Sequence, residues 1–242
     1  MKSVVILYEC NSKYAEEKSF GGLSAKQLCD AEVSKIAENV VRIKSCDSVL
    51  GLISALKNAC EENQADYVVF SYDDLPFFNV GLAEKLIKSH EDYKAEYTYS
   101  DGYPYGFGPE IIDRGTLGIL EAMAASSHKA EGEKAVSRDC IYNLIKTEIN
   151  SFEVEAVLAD EDWRLLRLAF HCGRKENYLG CVALYEEIKR LQGNGAAGLG
   201  IAGARADGAT GDAEPWASVG AGAEKWISAD EISKIASCHL VL

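Results

Sequence analysis

The sequence predicts an α/β protein of three layers, α/β/α, built on a mostly parallel (mixed) sheet, and three observations support this. Short, almost wholly apolar runs alternate with amphipathic stretches of helix length. The spacing between the first three apolar runs fits crossover connections, and the third run ends abruptly on two adjacent carboxylates. Such alternation implies parallel strands, right-handed connections and helices on both faces.

Val4 to Tyr8 is the first expected strand, Ser24 to Glu38 the first helix and Val40 to Lys44 the second strand. Ser48 to Glu62 carries Val49, Leu52, Ile53 and Leu56 on one helical face, and Tyr67 to Phe70 follows as the third strand. Val80 to Ser89 is expected to be helical and Ala95 to Ser100 a strand. Ile111-Ile112 is a short strand, Thr116 to Ala125 a helix capped by Thr116, and Ser137 to Glu148 a further helix. Phe152 to Val157 is the last strand and Glu176 to Leu191 the closing helix. From Gly193 the composition turns to Gly and Ala, where burial cannot offset ordering entropy. The expected organisation is therefore a domain over 1–192, a flexible linker over 193–224 and a short amphipathic tail over 225–242, with the chain cut from a longer protein.

With 242 residues and 48% hydrophobic content, the chain can bury one substantial core. A net charge of −13 repels phosphate backbones and argues against nucleic-acid binding, and no stretch is long enough to span a bilayer. The eight cysteines form no C-x-x-C pair and follow no export signal, which fits reduced thiols in a cytoplasmic protein. His171-Cys172 with Cys181 is the grouping nearest a metal pattern, and ordinary packing explains it better.

Two segments carry candidate chemistry. In DYVVFSYDDLP, Asp73 and Asp74 stand where an α/β sheet gathers ligands, at the carboxyl end of a buried strand. They suit a hard cation such as Mg²⁺, and they equally suit a turn or N-cap before a helix begun by Pro76. The loop DGYPYGFGPE, Asp101 to Glu110, combines aromatic side chains with three glycines. It reads as a wall over a flat ligand or as a self-packed turn in which Tyr103, Tyr105 and Phe107 cover the core edge.

In that order along the chain, VVFSYDDLPFF resembles the G-D-x-P segment of sugar-nucleotide cytidylyltransferases, the group containing CMP-sugar-forming enzymes and spore-coat polysaccharide cytidylyltransferase relatives. YPYGFGPEII is similar to the family's Y-P-x-G-x-x-x-E-[VI] segment, and EDWRLLRLAFH to its D-x-R-L-T-V-D stretch. The resemblance implies the nucleotide-diphospho-sugar transferase, or GT-A-like, fold over 1–192. It also implies attack of a sugar oxygen on the α-phosphate of a nucleoside triphosphate, with release of pyrophosphate. On that reading Asp74 is the catalytic, Mg²⁺-binding aspartate, assisted by Asp73 in the place of a glycine. Tyr105, Gly106 and Glu110 line the sugar side, and Arg167 lies on the strand approaching the cleft. The implied partners are a nucleoside triphosphate or nucleotide-sugar and a second copy in a homodimer.

The departures lie in the first loop and the last motif. Where the family opens into a Gly- and Arg-containing triphosphate loop, this chain has Glu9, Cys10, Asn11, Ser12 and Lys13, with glycines only at Gly21 and Gly22. Lys13, at the catalytic position, and Lys18 are the cations left to serve the phosphates. The second acidic metal ligand is replaced by His171, followed by Arg174 and Lys175, so Mg²⁺ would be weakly held. Two readings follow: a working nucleotidyltransferase, and a degenerate binding or scaffold module. The second layout is similar to spirochaete-type radical SAM/SPASM proteins, with the cluster-bearing domain downstream.

Plainer expectations complete the reading. Trp163 is a core anchor whose N–H meets a backbone carbonyl, and Arg138-Asp139 is helix-start chemistry. His90 and His128 are solvated, and Ser126-Ser127 lack the glycine elbow of an acyl-transfer nucleophile.

Overall fold

The computed structural model describes residues 1–37, 39–132, 134–193 and 228–239. One six-stranded sheet organises it, in the order β2-β1-β3-β5-β4-β6. The strands are β1 (Ser3–Tyr8), β2 (Val40–Ile43), β3 (Tyr67–Tyr72), β4 (Tyr97–Asp101), β5 (Glu110–Asp113) and β6 (Val154–Leu158). β1 pairs in parallel with β2 and β3, and β4 with β6, whereas β5 runs antiparallel to both β3 and β4. The mixed sheet is thus mostly parallel, as expected, with one reversed strand inserted between its two parallel halves. Every residue of β3 is buried, which is why that stretch reads as an almost wholly apolar run, interrupted by Ser71.

Helices α2 (Ala25–Val33), α3 (Val49–Glu62), α4 (Val80–Tyr93) and α5 (Arg114–Glu131) cover the sheet, with α3 packed on α5 and the turn after α2, at Lys35 and Ile36, beside α4. Local chemistry sets their starts. Ser24 and Gln27 form a capping box on α2, Ser48 caps α3, and Asn79 caps α4. Asp113, not Thr116, caps α5 through a bond accepted from the Gly115 N–H, and Thr116 lies buried within the helix with its hydroxyl unpartnered among the described residues. A short helix that the sequence does not announce, α1 (Lys13–Glu16), starts from Ser12.

The chain then adds α6 (Cys140–Thr147), α7 (Lys175–Gly193) and α8 (Ala229–His239). The expected linker lies, apart from Gly193, outside the described residues. Within the expected tail, α8 packs against α7 and buries Ala229, Ile232, Ser233, Ile235 and Ala236. Its Asp230 accepts hydrogen bonds from the Tyr103 hydroxyl at 3.0 Å and the Asp160 N–H at 3.1 Å. No helix among the described residues is long and apolar enough to cross a membrane.

Candidate functional site

β3 delivers Asp73 and Asp74 to its carboxyl end, where both are buried, at 1% and 0% exposure. They cap no helix. The Asp73 N–H donates to the Tyr8 carbonyl of β1, and the Cys172 N–H donates to the Asp74 carbonyl, so main chain from both sides pins the doublet. The Cys10 N–H donates to Asp73 Oδ1 at 2.8 Å, and Lys26 Nζ lies 3.5 Å from Oδ2. Burial raises the Asp73 carboxyl above the usual range, and the Cys10 amide and Lys26 counteract it.

Asp74 is held by Arg138, a residue the sequence reading assigned to a helix start. Arg138 Nη1 and Nη2 donate to Asp74 Oδ1 and Oδ2 at 2.9 and 2.6 Å, a bidentate, charge-assisted pair. The guanidinium carbon sits 4.8 Å from the Tyr72 ring centre and 5.8 Å from that of Tyr105, and Nη2 approaches Cys10 Sγ at 3.6 Å. Burial opposes the guanidinium charge, but Asp74 outweighs it and holds the group firmly protonated. Burial and then Asp74 push the Cys10 thiol up, so it stays protonated and is no nucleophile.

These residues do not fit a hard divalent cation. All four oxygens of the doublet already face an amide, an ammonium or a guanidinium. His171, at the expected second ligand position, is buried, with its Nδ1 accepting from the Gly173 N–H at 3.2 Å and its Nε2 2.6 Å from the Asn177 side-chain amide. Burial, with Arg138 next, lowers the His171 pKa to about 4. No group of three or more His, Cys, Asp or Glu side chains suited to a metal occurs among the described residues.

The first loop is packed rather than open. The Ser12 hydroxyl donates to the Cys172 carbonyl at 2.7 Å, the Tyr14 and Tyr178 rings stack at 5.3 Å, and Phe20 meets Tyr178 and Tyr185 edge-on. Gly21 and Gly22 form the two-residue turn between Phe20 and Leu23, with φ of +62° and +88°. A side chain at Gly21 would meet the Tyr185 hydroxyl at 2.5 Å, so this glycine answers to packing. Lys13, exposed over the Tyr14 ring, and Lys18, also exposed, are not the cations that reach the doublet; Lys26 and Arg138 are.

The aromatic loop divides between its two readings. Tyr103 and Phe107 are buried and edge-on to each other, as a self-packed turn requires. Tyr105 is 36% exposed and stands beside Arg138 and His171, as a wall requires. The Phe170 N–H donates to the Tyr105 carbonyl at 2.7 Å, and Gly106, at φ +112°, lets that strand of chain pass; a Cβ there would lie 2.3 Å from the Phe170 carbonyl oxygen. Glu110 accepts from the Tyr97 hydroxyl at 2.7 Å, and burial raises its pKa to about 7.

Three further expectations are corrected. Arg167 is not on a strand: it is exposed, in the left-handed region at φ +53°, just after a single 3₁₀ turn over Arg164–Leu166. His90 is fully buried, its Nδ1 2.9 Å from the Thr98 hydroxyl. Trp163 is a buried anchor, but its ring N–H has no hydrogen-bond partner among the described residues. His128 is exposed as expected.

No family model matches the chain. An uncharacterized protein of Treponema pallidum (strain Nichols) is 29% identical over 109 residues, 45% of this chain and 45% of that protein, so the match spans under half of the relative's length. Among solved structures, a cytidylyltransferase from Leptospira borgpetersenii serovar Hardjo-bovis superposes with a TM-score of 0.56 at 14% identity, covering 80% of this chain and 95% of that one. The 4-diphosphocytidyl-2C-methyl-D-erythritol synthase of Anaerococcus prevotii gives 0.54 at 13%, covering 76% and 98%. At such identities the likeness is one of architecture: the chain has the nucleotide-diphospho-sugar transferase fold on which those cytidylyltransferases are built.

Proposed function

We propose that the chain is a nucleotide- or nucleotide-sugar-binding domain of nucleotidyltransferase ancestry in which Mg²⁺-dependent nucleotidyl transfer is lost. The carrying observation is the bidentate Arg138–Asp74 pair, which commits both oxygens of the aspartate that the resemblance assigns to the metal. Asp73 is likewise committed, and the neutral His171 stands where a second anionic ligand would be needed. The packed first loop points the same way, because Ser12, Tyr14 and Phe20 are tied to the chain around Cys172 and to α7. The superposable structures belong to a cytidylyltransferase and a diphosphocytidyl-methylerythritol synthase, which makes CTP and cytidine-linked sugars the first ligands to try.

The test follows thermal unfolding with CTP and the other nucleoside triphosphates, in EDTA and in Mg²⁺, beside a pyrophosphate-release assay with acidic and phosphorylated sugars. A ligand at a hundredfold excess over its dissociation constant should stabilise the protein by about 2.7 kcal/mol, with no Mg²⁺-dependent release of pyrophosphate. Release that requires Mg²⁺ and disappears in Asp74→Asn would overturn the loss of transfer. A chain that no nucleotide stabilises would overturn the binding assignment.

A further inference from the structure

We propose that Arg138, clamped on Asp74, stands as a built-in cation where a divalent metal would otherwise sit, and that with Lys26 it forms a phosphoryl-binding site that works without metal. This deepens the nucleotide-binding reading at the same sheet end, though the phosphoryl contact does not depend on which base or sugar is attached.

The layering of charge carries the inference. The carboxylates of Asp73 and Asp74 lie at the floor, 1% and 0% exposed, while the side chains of Lys26 and Arg138 above them each keep 23% of their surface in solvent. Cys10 joins the two sides, its N–H bonded to Asp73 Oδ1 and its Sγ 3.6 Å from Arg138 Nη2, so an anion reaching this sheet end meets an ammonium and a guanidinium before the buried acids. Arg138 is also preorganised: two bonds to Asp74 fix its plane, and the Tyr72 and Tyr105 rings bound it. Little side-chain entropy is then left to lose on binding. A guanidinium held flat in this way suits the planar pairing of N–H groups with phosphoryl oxygens.

The surroundings agree. Gly173 passes so close to the pair that a Cβ there would fall 2.8 Å from Arg138 Nη2, so the absent side chain leaves the guanidinium uncovered. Arg174 and Lys175 follow at once, both exposed. Burial first, then Arg138 and more weakly Arg174, keep His171 neutral, with Asp74 opposing them, so both arginines stand close to this site in a chain of net charge −13. Glu16, 3.3 Å from Lys26 and largely exposed, adds an opposing charge to those of the two aspartates.

The experiment is calorimetric titration of the full chain with inorganic pyrophosphate. Binding is expected in EDTA, not tightened by Mg²⁺, and weakened at least tenfold in Lys26→Gln. The same weakening is expected in the double variant Arg138→Gln/Asp74→Asn, which leaves no unpaired buried charge to unfold the protein. Binding that appears only with Mg²⁺, or no binding in either buffer, overturns the proposal, as does unchanged affinity in both variants. Pyrophosphate binding without CTP binding would sink the nucleotide reading and leave this one standing.

Discussion

At the scale of single residues, the Arg138–Asp74 pair joins positions 64 apart in sequence with Asp74 fully buried, so removing one member strands a charge. Breaking a buried pair by truncating one partner costs about 3–5 kcal/mol, whereas replacing both with groups of similar volume is often close to neutral. Arg138→Met should therefore lower the free energy of unfolding in urea by about that amount, and Asp74→Asn added to it should recover most of the loss. A second residue-scale prediction concerns acid. The His171 pKa falls from its usual 6.5 to about 4 on folding, so this residue removes stability as pH drops through that window. Glu110 acts in the opposite sense: raised from 4.5 to about 7, it is better protonated in the folded chain, so its contribution is present at low pH and lost as pH rises towards 7. His171→Gln should flatten the acid loss and Glu110→Gln should deepen it, read from urea midpoints across that range. The sequence made Asp73, Asp74 and Tyr105 legible, because a strand end and an aromatic loop are local patterns. It hid Arg138, whose neighbours describe only the start of α6, since a partner reached through tertiary folding leaves no local trace. His90 was readable in principle, sharing with Leu82 and Leu86 the four-residue spacing of the buried face of α4.

At the scale of elements, turns and crossings decide whether the site can assemble. The aromatic loop reaches the chain around Phe170 only because Gly106 offers no side chain, at a φ that ordinary residues avoid. Gly106→Ala meets both penalties, a strained backbone of about 1–3 kcal/mol and a collision with a carbonyl oxygen that cannot rotate away. The expected outcome is a fall in the urea midpoint worth at least about 2 kcal/mol. Faster amide exchange at Phe170, which donates to Tyr105, should accompany it, and protection unchanged there would refute the account. Most helix starts were legible because Ser24 and Ser48 are strong caps followed by apolar periodicity. The cap of α5 was misplaced because Asp113 closes a strand and opens a helix in one residue, leaving Thr116 to look like the more ordinary start. Gly21-Gly22 illustrates the converse: these are the glycines that follow the place of the family's triphosphate loop, while their φ values and the Tyr185 contact make them a packed turn.

At the scale of the whole molecule, the alternation of apolar runs and amphipathic helices was enough to read the sheet and its layers. The reversal of β5 was not, because a four-residue strand reached from a long loop carries no hairpin signal. That reversal brings the aromatic loop back across the sheet end and places Tyr105 beside Arg138, so the site depends on the one strand whose direction the sequence conceals. α8 makes a similar connection from the other end of the chain. It buries Ile232 and Ile235 on the domain, and its Asp230 ties Tyr103 of the aromatic loop to the main chain after β6. Full burial of an isoleucine is worth about 1.5–3 kcal/mol, and ordering the helix offsets part of that. A chain ending at Gly193 should therefore keep its sheet, seen as an unchanged far-ultraviolet signature of strand and helix apart from the lost turns. Its unfolding free energy should nonetheless fall by about 2 kcal/mol, with faster amide exchange in the aromatic loop. Asp230→Asn in the intact chain separates the two contributions, because it weakens the tie to Tyr103 while leaving the apolar face of α8 in place. If the loop exchanges no faster in either variant, Asp230 is a surface contact and α8 has no hold on the candidate site.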